Sequence, residues 1–407
     1  MRAPLLGKTL FCVSNVAVLV FVLYSLTDFT KISLTKYNDT VIASVNNIKD
    51  SNSENRTVLK YILQWTSPRN VPFNSMGVGQ EGFISRNCSY KNCFVTGDRK
   101  YLGDVTKFDV IVFAGPEVVT LPSFYLPQSR AHHQKYVFAS IESSGYYPVC
   151  SNRFDGFFNW TWTFRLDSDV RWGYMLVKDA ENNIIGPNKI MHWMKLEDMS
   201  PVSEEFKQKL KTKKKAAAWF VSNCFDRSGR FEFAEKLKYK LKSYNLMLDV
   251  YGKCGQLSCP PSEHEKCLKM LDETYYFYLS FENSFSEDYA TEKLLMALQN
   301  NVVPIVYGGA NYTRFMPYGI YLNAKELGVT ALAAKMAEII KNPEQYANFF
   351  RWKNHYSYHS KHEIPETNEY CKMCELLNNE EKLKKTSIIS NFKDWWDSPN
   401  MCNRSLF

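Results

Sequence analysis

The chain has 407 residues, 45% of them apolar and 23% charged, with a formal net charge of +8. That composition excludes a disordered or collagen-like chain and leaves room for two domains with substantial cores. A moderate positive balance suits a phosphate-bearing ligand, whereas a nucleic-acid reader needs a basic stripe with a recognition element. The one dense basic run, KQKLKTKKK over 207–215, has no interleaved aromatics and reads as a solvated linker before a strand.

At the N-terminus Arg2 and Lys8 flank the start of an apolar run, Thr9 to Thr27, and no Asp or Glu occurs before Asp28. The run is about 19 residues, enough to span a bilayer. A signal peptide would have a shorter apolar core and an A-x-A-like cleavage site. The expectation is therefore a cytoplasmic tail over 1–8 and a signal-anchor over 9–27, with the remainder beyond the membrane. The polar stretch 28–58 reads as a stem. Of eleven cysteines, Cys12 falls inside the apolar run. An even ten remain: Cys88, Cys93, Cys150, Cys224, Cys254, Cys259, Cys267, Cys371, Cys374 and Cys402. An oxidising compartment permits disulfides among them. Zinc binding by Cys371 and Cys374 would need a second pair at finger spacing, which is missing. N-x-[ST] sequons at Asn38, Asn55, Asn87, Asn159, Asn311 and Asn403 agree with a lumenal chain.

From Leu59 to about 205, apolar runs of strand length alternate with polar loops. Tyr61 to Trp65, Val110 to Ala114 and Tyr136 to Ile141 read as buried parallel strands, and Phe157 to Phe164 as another. Glu142 follows the third directly, at the end of an open parallel sheet that faces a ligand crevice. The second half, 216–365, alternates similarly. Ala216 to Val221 is a strand, Arg230 to Tyr244 an amphipathic helix, and Leu246 to Tyr251 a strand. Thr330 to Ile340 and Pro343 to Arg351 are helical, with Thr330 as N-cap of the first and Pro343 at the first position of the second. The fold class is α/β, with a Rossmann-like second half and a Cys-rich segment over 366–407.

The densest signal is YYFYLSFENSFSEDYATEKLLMALQNNVVPIVYG over 275–308. Strand, polar loop, helix and strand make a βαβ unit. Its loop and helix start carry Glu282, Asn283, Tyr289, Glu292 and Lys293, where such sheets bind ligands. Thr291 or Asp288 is the expected helix cap. A lysine in the first helical turn opposes the macrodipole unless an anion is held nearby, so Lys293 points to a bound anion.

FYLSFENS over 277–284 followed by DYATEK over 288–293 resembles the donor-binding motif of the α1,3-fucosyltransferases, glycosyltransferase family 10. That family moves fucose from GDP-fucose to N-acetylglucosamine. The blocks FNWTWTFRLDSD over 158–169 and VSNC over 221–224 are similar to further family segments, as is Asp394-Trp395-Trp396. Tyr251-Gly252-Lys253-Cys254-Gly255 with Cys259-Pro260 looks like the invertebrate and plant members that act on the N-glycan core. The resemblance implies a GT-B architecture, two Rossmann-like domains facing a cleft. It implies a Golgi type II membrane enzyme that transfers fucose with inversion, the core N-acetylglucosamine of glycoprotein N-glycans being its acceptor. Glu142 matches the family's acceptor-side carboxylate, so it is the implied base. Its following Ser143-Ser144 departs from the family's Ser-Pro. Lys293 and Arg230 are implied to meet the diphosphate, with Arg227 as the competing arginine. Tyr289 and Glu292 are implied to contact sugar hydroxyls, while Glu282 and Asn283 belong to the donor pocket.

Arg165, Asp167 and Asp169 are acceptor-side candidates. Asp167-Ser168-Asp169 has the form of a metal-binding DxD pair, but supplies only two carboxylates. No cofactor or metal is expected, and the partners are GDP-fucose and N-glycans. Three readings stand beside this one: a Lewis-type antennal enzyme, a catalytically silent lumenal sugar-binding protein, and a transferase for another nucleotide sugar.

Overall fold

The computed structural model describes residues 58–69, 73–361, 368–397 and 402. The expected tail, the anchor over 9–27 and all but the end of the stem lie outside them, as do Asn38, Asn55 and Asn403. Among the described residues no helix is long and apolar enough to cross a membrane.

Residues from Leu59 onward form one compact unit. Its first sheet contains β1 (Lys60–Gln64), β2 (Cys93–Thr96), β3 (Val110–Ala114), β4 (Lys135–Ser140), β5 (Trp160–Thr163) and β6 (Val170–Arg171). The spatial order is β2-β1-β3-β4-β5-β6 and every pairing is parallel. Strands β3 and β4 are buried along their whole length, which explains their unbroken apolar runs. Of the expected strand over 157–164 only Trp160–Thr163 pairs. Phe157 and Phe158 turn into an aromatic cluster with Phe113 and Phe154 instead. Short helices α1 (Glu81–Ile84) and α2 (Gly115–Val118) lie in the same half.

A three-stranded antiparallel sheet follows. Strands β7 (Leu176–Asp179) and β8 (Ile184–Gly186) pair, and a strand from far along the chain, Tyr356–His359, pairs with β7 on its other side.

The basic run is not a linker. Ser203 caps α3 (Glu204–Leu210), its hydroxyl accepting from Phe206 N at 3.1 Å. Lys213 is buried and donates to the carbonyls of Asp272 and Tyr275 at 2.6 and 2.8 Å. Burial lowers its ammonium to about 7.

The second sheet holds β9 (Lys215–Phe220), β10 (Leu248–Tyr251), β11 (Tyr275–Phe281), β12 (Val303–Tyr307) and β13 (Leu322–Asn323), in the order β10-β9-β11-β12-β13, all parallel. The strand at 356–359 is then β14. Helices α4 (Arg230–Lys242), α5 (His264–Thr274) and α6 (Glu292–Gln299) connect these strands. Ala234, Leu237 and Leu241 of α4 are fully or almost fully buried in a core with Trp219, Phe277 and Leu279, each large side chain contributing about 1.5–3 kcal/mol on leaving water.

Helix α7 (Ala324–Lys341) starts six residues before the expected cap Thr330. Asn323 caps it, its side-chain oxygen accepting from Lys325 N at 3.1 Å, and Gly328 at φ +69° bends it inside. Helix α8 (Pro343–Asn348) begins at Pro343, capped by Asn342.

The C-terminal segment packs on the first sheet. Helix α9 (Glu369–Asn378) is tied there by Cys88–Cys371 and Cys93–Cys374. Closing loops of 283 and 281 residues restricts the unfolded chain, at roughly 5 kcal/mol for the first closure. The remaining bridges are Cys150–Cys402, Cys224–Cys254 and Cys259–Cys267, so all ten cysteines pair. Helix α10 (Glu380–Lys384) follows α9, and α11 (Phe392–Trp396) buries Phe392 and Trp396 beside Phe138.

Asn159 is an exception among the sequons. It is buried, with its Oδ1 accepting from Tyr136 N at 2.8 Å and from Arg130, and its Nδ2 donating to Ser387 O at 2.5 Å. A glycan on that nitrogen would break this packing, so Asn159 is not a glycosylation site of the folded chain. Asn87 and Asn311 are exposed.

Candidate active site

The carboxyl ends of β4 and β11 meet. The turn after β4 is Glu142-Ser143-Ser144-Gly145, and the turn after β11 is Glu282-Asn283-Ser284-Phe285-Ser286. Ser143 and Ser284 share a short hydroxyl–hydroxyl hydrogen bond, and Ser144 and Ser286 share another of 2.9 Å. All four serines are buried. The approach requires Gly145: a Cβ there would lie 2.8 Å from Phe285 O. These serines latch the two halves of the site together.

Glu142 stands just outside the latch, half-buried. Its carboxylate accepts from the Tyr289 hydroxyl at 3.1 Å, a bond between residues 147 apart. Tyr289 is itself buried, packed edge-on against Phe164 at 4.8 Å. Tyr174 donates to Ile141 O at 2.6 Å, fixing the base of the same turn. Burial raises both phenols well above the usual tyrosine range, and the charges of Glu142, Glu282 and Glu292 add to the effect. Glu142 thus pairs with a buried neutral phenol at the carboxyl end of β4, an acceptor beside a donor of the kind that suits sugar hydroxyls.

Glu282 is fully buried and lies over the start of α6. It accepts from Thr291 N at 2.8 Å and from Thr291 Oγ1 at 2.9 Å. Neither expected cap serves: the Thr291 hydroxyl accepts from no helix amide and donates to Glu282, and Asp288 turns away to Leu166 N and Arg314. The anion that makes Lys293 tolerable in the first turn is the protein's own. Lys293 Nζ lies 3.3 Å from Glu282, 2.8 Å from Glu292 and 2.8 Å from Thr291 Oγ1. Burial lowers the lysine and the two carboxylates outweigh it, so the net shift is upward. Burial raises Glu282 despite Lys293, whereas in Glu292 burial is outweighed by the charge of Lys293 together with hydrogen bonds from Lys293, the backbone and Thr291, and the carboxyl is lowered.

Of the two arginines, Arg230 is buried, donating to Phe281 O at 2.7 Å and Asn223 O at 3.1 Å, with its Nε lacking a hydrogen-bond partner. Arg227 is exposed, its guanidinium 5.2 Å over the Tyr146 ring and 3.4 Å from Gly145 O. Asn283 accepts from Arg227 N and Ser228 N through its carbonyl, which shapes this turn. Arg230 therefore braces the donor-side turn, while Arg227 presents its cation at the junction.

The acceptor-side candidates separate. Arg165 forks onto Asp167 with two bonds of 3.0 Å, reaches Glu287 at 3.1 Å and stacks 4.6 Å from the Trp395 ring. Lys189 and Arg314, neither singled out by sequence, complete this ionic group with Glu287 and the buried Asp288. Burial raises Asp167 and Glu287, but the cations outweigh it and hold each at about 2. Asp169 is engaged elsewhere, accepting from Thr161 N and Oγ1 at 2.9 and 3.1 Å. The DxD carboxylates are thus committed to different partners. Two cavities of about 650 and 550 Å³ open on other parts of the unit, and neither is lined by Glu142 or Lys293. Convergent polar chemistry, not volume, marks the site.

Two family models match the chain. The model described as "Fucosyltransferase, N-terminal" matches residues 57–175, and "Glycosyltransferase family 10 (fucosyltransferase) C-term" matches 210–395. Alpha-(1,3)-fucosyltransferase C of Drosophila melanogaster is 34% identical over 350 residues, 82% of this chain and 77% of the relative. The chain belongs to glycosyltransferase family 10, the fucosyltransferases. Glycoprotein 3-alpha-L-fucosyltransferase A of Drosophila melanogaster is 29% identical, over 80% of this chain and 58% of its own length. The Homo sapiens 4-galactosyl-N-acetylglucosaminide 3-alpha-L-fucosyltransferase FUT6 is 28% identical, over 89% and 91%. Among solved structures, an α1,3-fucosyltransferase with GDP-fucose is 14% identical with a TM-score of 0.46, covering 84% of this chain and 95% of that one.

Proposed function

We propose that this fucosyltransferase moves fucose from GDP-fucose to N-acetylglucosamine of N-glycans, forming an α1,3 linkage with inversion. The reading rests on one observation above all: Glu142, after β4 of the first sheet, accepts from the hydroxyl of Tyr289, which follows β11 of the second sheet and precedes Glu292 and Lys293 at the start of α6. On this reading the two parallel sheets are the two halves of a GT-B architecture. The Glu142 carboxylate takes the acceptor hydroxyl proton as that oxygen bonds to the fucose anomeric carbon. The bond from that carbon to the diphosphate breaks on the opposite face, and GDP leaves with the bonding electrons. Charge builds on the leaving oxygens, where Lys293 and Arg227 are the cations within reach of the junction. Tyr289 and Glu292 hold sugar hydroxyls. With Asp167 and Asp169 committed to separate protein partners, the reaction is expected to need no metal.

The Cys224–Cys254 and Cys259–Cys267 bridges flank the donor-side turns. With the resemblance of that segment to core-acting members, they favour the core N-acetylglucosamine as acceptor. The antennal reading is the second one, favoured by a FUT6 match over nine-tenths of both proteins. Both place the enzyme in the Golgi membrane, anchored by 9–27 with its catalytic part lumenal.

The test uses the purified full-length chain with labelled GDP-fucose and two glycopeptides, one offering only the core chitobiose, the other only N-acetyllactosamine antennae. Transfer to the core acceptor in α1,3 linkage supports the reading. Transfer confined to the antennae replaces the acceptor assignment, and transfer to neither defeats the reading.

A further inference from the structure

The cavity of about 650 Å³ lies at the opposite end of the first sheet from Glu142. Lys60 opens β1 and Lys135 opens β4, while Asp109 and Asn159 directly precede β3 and β5. All four line the cavity, so it sits at the amino ends of the parallel strands. The six residues of β4 span about 20 Å, which separates this cavity from the site of transfer.

Its lining is unbalanced in charge. Lys60, Arg130, His132, His133, Lys135 and Lys384 line it with one acid, Asp109, and Lys384 is already paired with Glu380 at 2.7 Å. Asp109 is already engaged by Tyr61 N at 2.7 Å and Lys60 at 4.0 Å. Arg130 lies 3.8 Å over the Tyr136 ring and donates to Phe157 O at 2.9 Å. Lys135 is buried, with its ammonium on Lys385 O at 2.9 Å. Among the described residues no carboxylate pairs with Arg130 or Lys135. Burial lowers the Lys135 ammonium, and the charge of Arg130 lowers it further. The buried Lys135, held beside the more exposed Arg130 without a counter-charge, is costly unless an anion joins them. Leu383 and Ile388 supply an apolar wall beside them. The volume falls in the range of small-molecule sites and exceeds what an inorganic anion fills.

We propose that this groove binds a phosphate or sulfate monoester of a small sugar, as a ligand separate from donor and acceptor. The ester oxygens meet Lys60, Arg130 and Lys135, the two histidines close the rim, and the ring lies along Leu383 and Ile388. Nothing in fucosyl transfer requires it, so occupancy is independent of the catalytic cleft.

Calorimetric titration of the full-length chain tests this, with GDP saturating throughout so that the donor site is filled. The probes are glucose 6-sulfate, glucose 6-phosphate, inorganic phosphate and glucose, none of which is the proposed acceptor sugar. Saturable binding of at least one ester is expected, with inorganic phosphate at least tenfold weaker and the neutral sugar silent. The separate arms distinguish a sulfate ester from a phosphate ester. The variant Lys60→Gln/His133→Gln/Lys384→Gln should weaken ester binding at least tenfold and leave GDP affinity and fucosyl transfer within twofold. Absence of saturable ester binding overturns the proposal. So does unchanged ester affinity in that variant, or inorganic phosphate binding as tightly as the esters.

Discussion

Lys293 carries two separable duties, and the structure says how to divide them. Its ammonium sits 3.3 Å from Glu282, whose side chain is 2% exposed against 21% for the lysine. Removing one member of a buried pair costs 3–5 kcal/mol as a rule. Glu282 would keep Thr291 N and Oγ1, so Lys293→Ala belongs at the low end, about 3 kcal/mol. At roughly 2 °C per kcal/mol for a chain of this size, Tm should drop by about 6 °C. Adding Glu282→Gln removes the stranded charge while an amide oxygen still accepts from Thr291 N. The double variant should regain most of that loss. GDP affinity should behave otherwise. Losing a charge-assisted partner of the diphosphate costs about 1.5–3 kcal/mol, roughly ten- to a hundredfold, in single and double variants alike. Thermal unfolding and calorimetric GDP titration of both read this out. If the double variant recovers GDP affinity together with Tm, Lys293 acts only by holding Glu282 and does not meet the diphosphate.

Other expectations are as direct. Asp167 and Glu287 are each held at about 2, so their contribution is present above the unfolded carboxylate pKa and disappears as pH falls from about 4.5 toward 2. Thermal unfolding across that window should show the loss, and Asp167→Asn should flatten it by about 1 kcal/mol after allowance for partial exposure. Asn159→Gln should leave gel mobility unchanged and lower Tm, whereas Asn87→Gln or Asn311→Gln should each remove one glycan from protein made in a secretory pathway. Transfer should persist in a chelator; activity lost there and restored by manganese would make Asp167 and Asp169 metal ligands after all.

Much of the fold was legible because its signals are local. Strands β3, β4 and β11 are apolar runs of strand length, and β11, α6 and β12 show the change of period from strand to helix and back. The site residues Glu142, Tyr289, Glu292 and Lys293 stood out because charged and polar groups followed buried strands. What escaped depends on partners far away in sequence. No local pattern joins β14 to β7, Cys88 to Cys371, or Ser143 to Ser284. Asn159 carries a sequon identical in form to exposed ones, and only the Ser387 carbonyl shows that its amide is occupied. The cap of α6 failed for the same reason. Thr291 has the right chemistry in the right place, but a fully buried carboxylate nine residues earlier draws its hydroxyl away from the helix amides. Lys213 looked solvated within a basic run, yet it is buried with its ammonium on two carbonyls, one from α5 and one from β11.

The central claim is that Glu142 is the base of a reaction whose donor is held by the other sheet. The measurement that bears on it most directly is the turnover of Glu142→Gln with saturating GDP-fucose and acceptor, paired with its GDP affinity. The substitution keeps the shape and the bond from Tyr289 at 3.1 Å while removing basicity. Turnover should fall by on the order of 10² to 10⁴ with GDP affinity nearly unchanged. Near-normal turnover would remove Glu142 as the base and with it the assignment of the two sheets to separate halves of the chemistry.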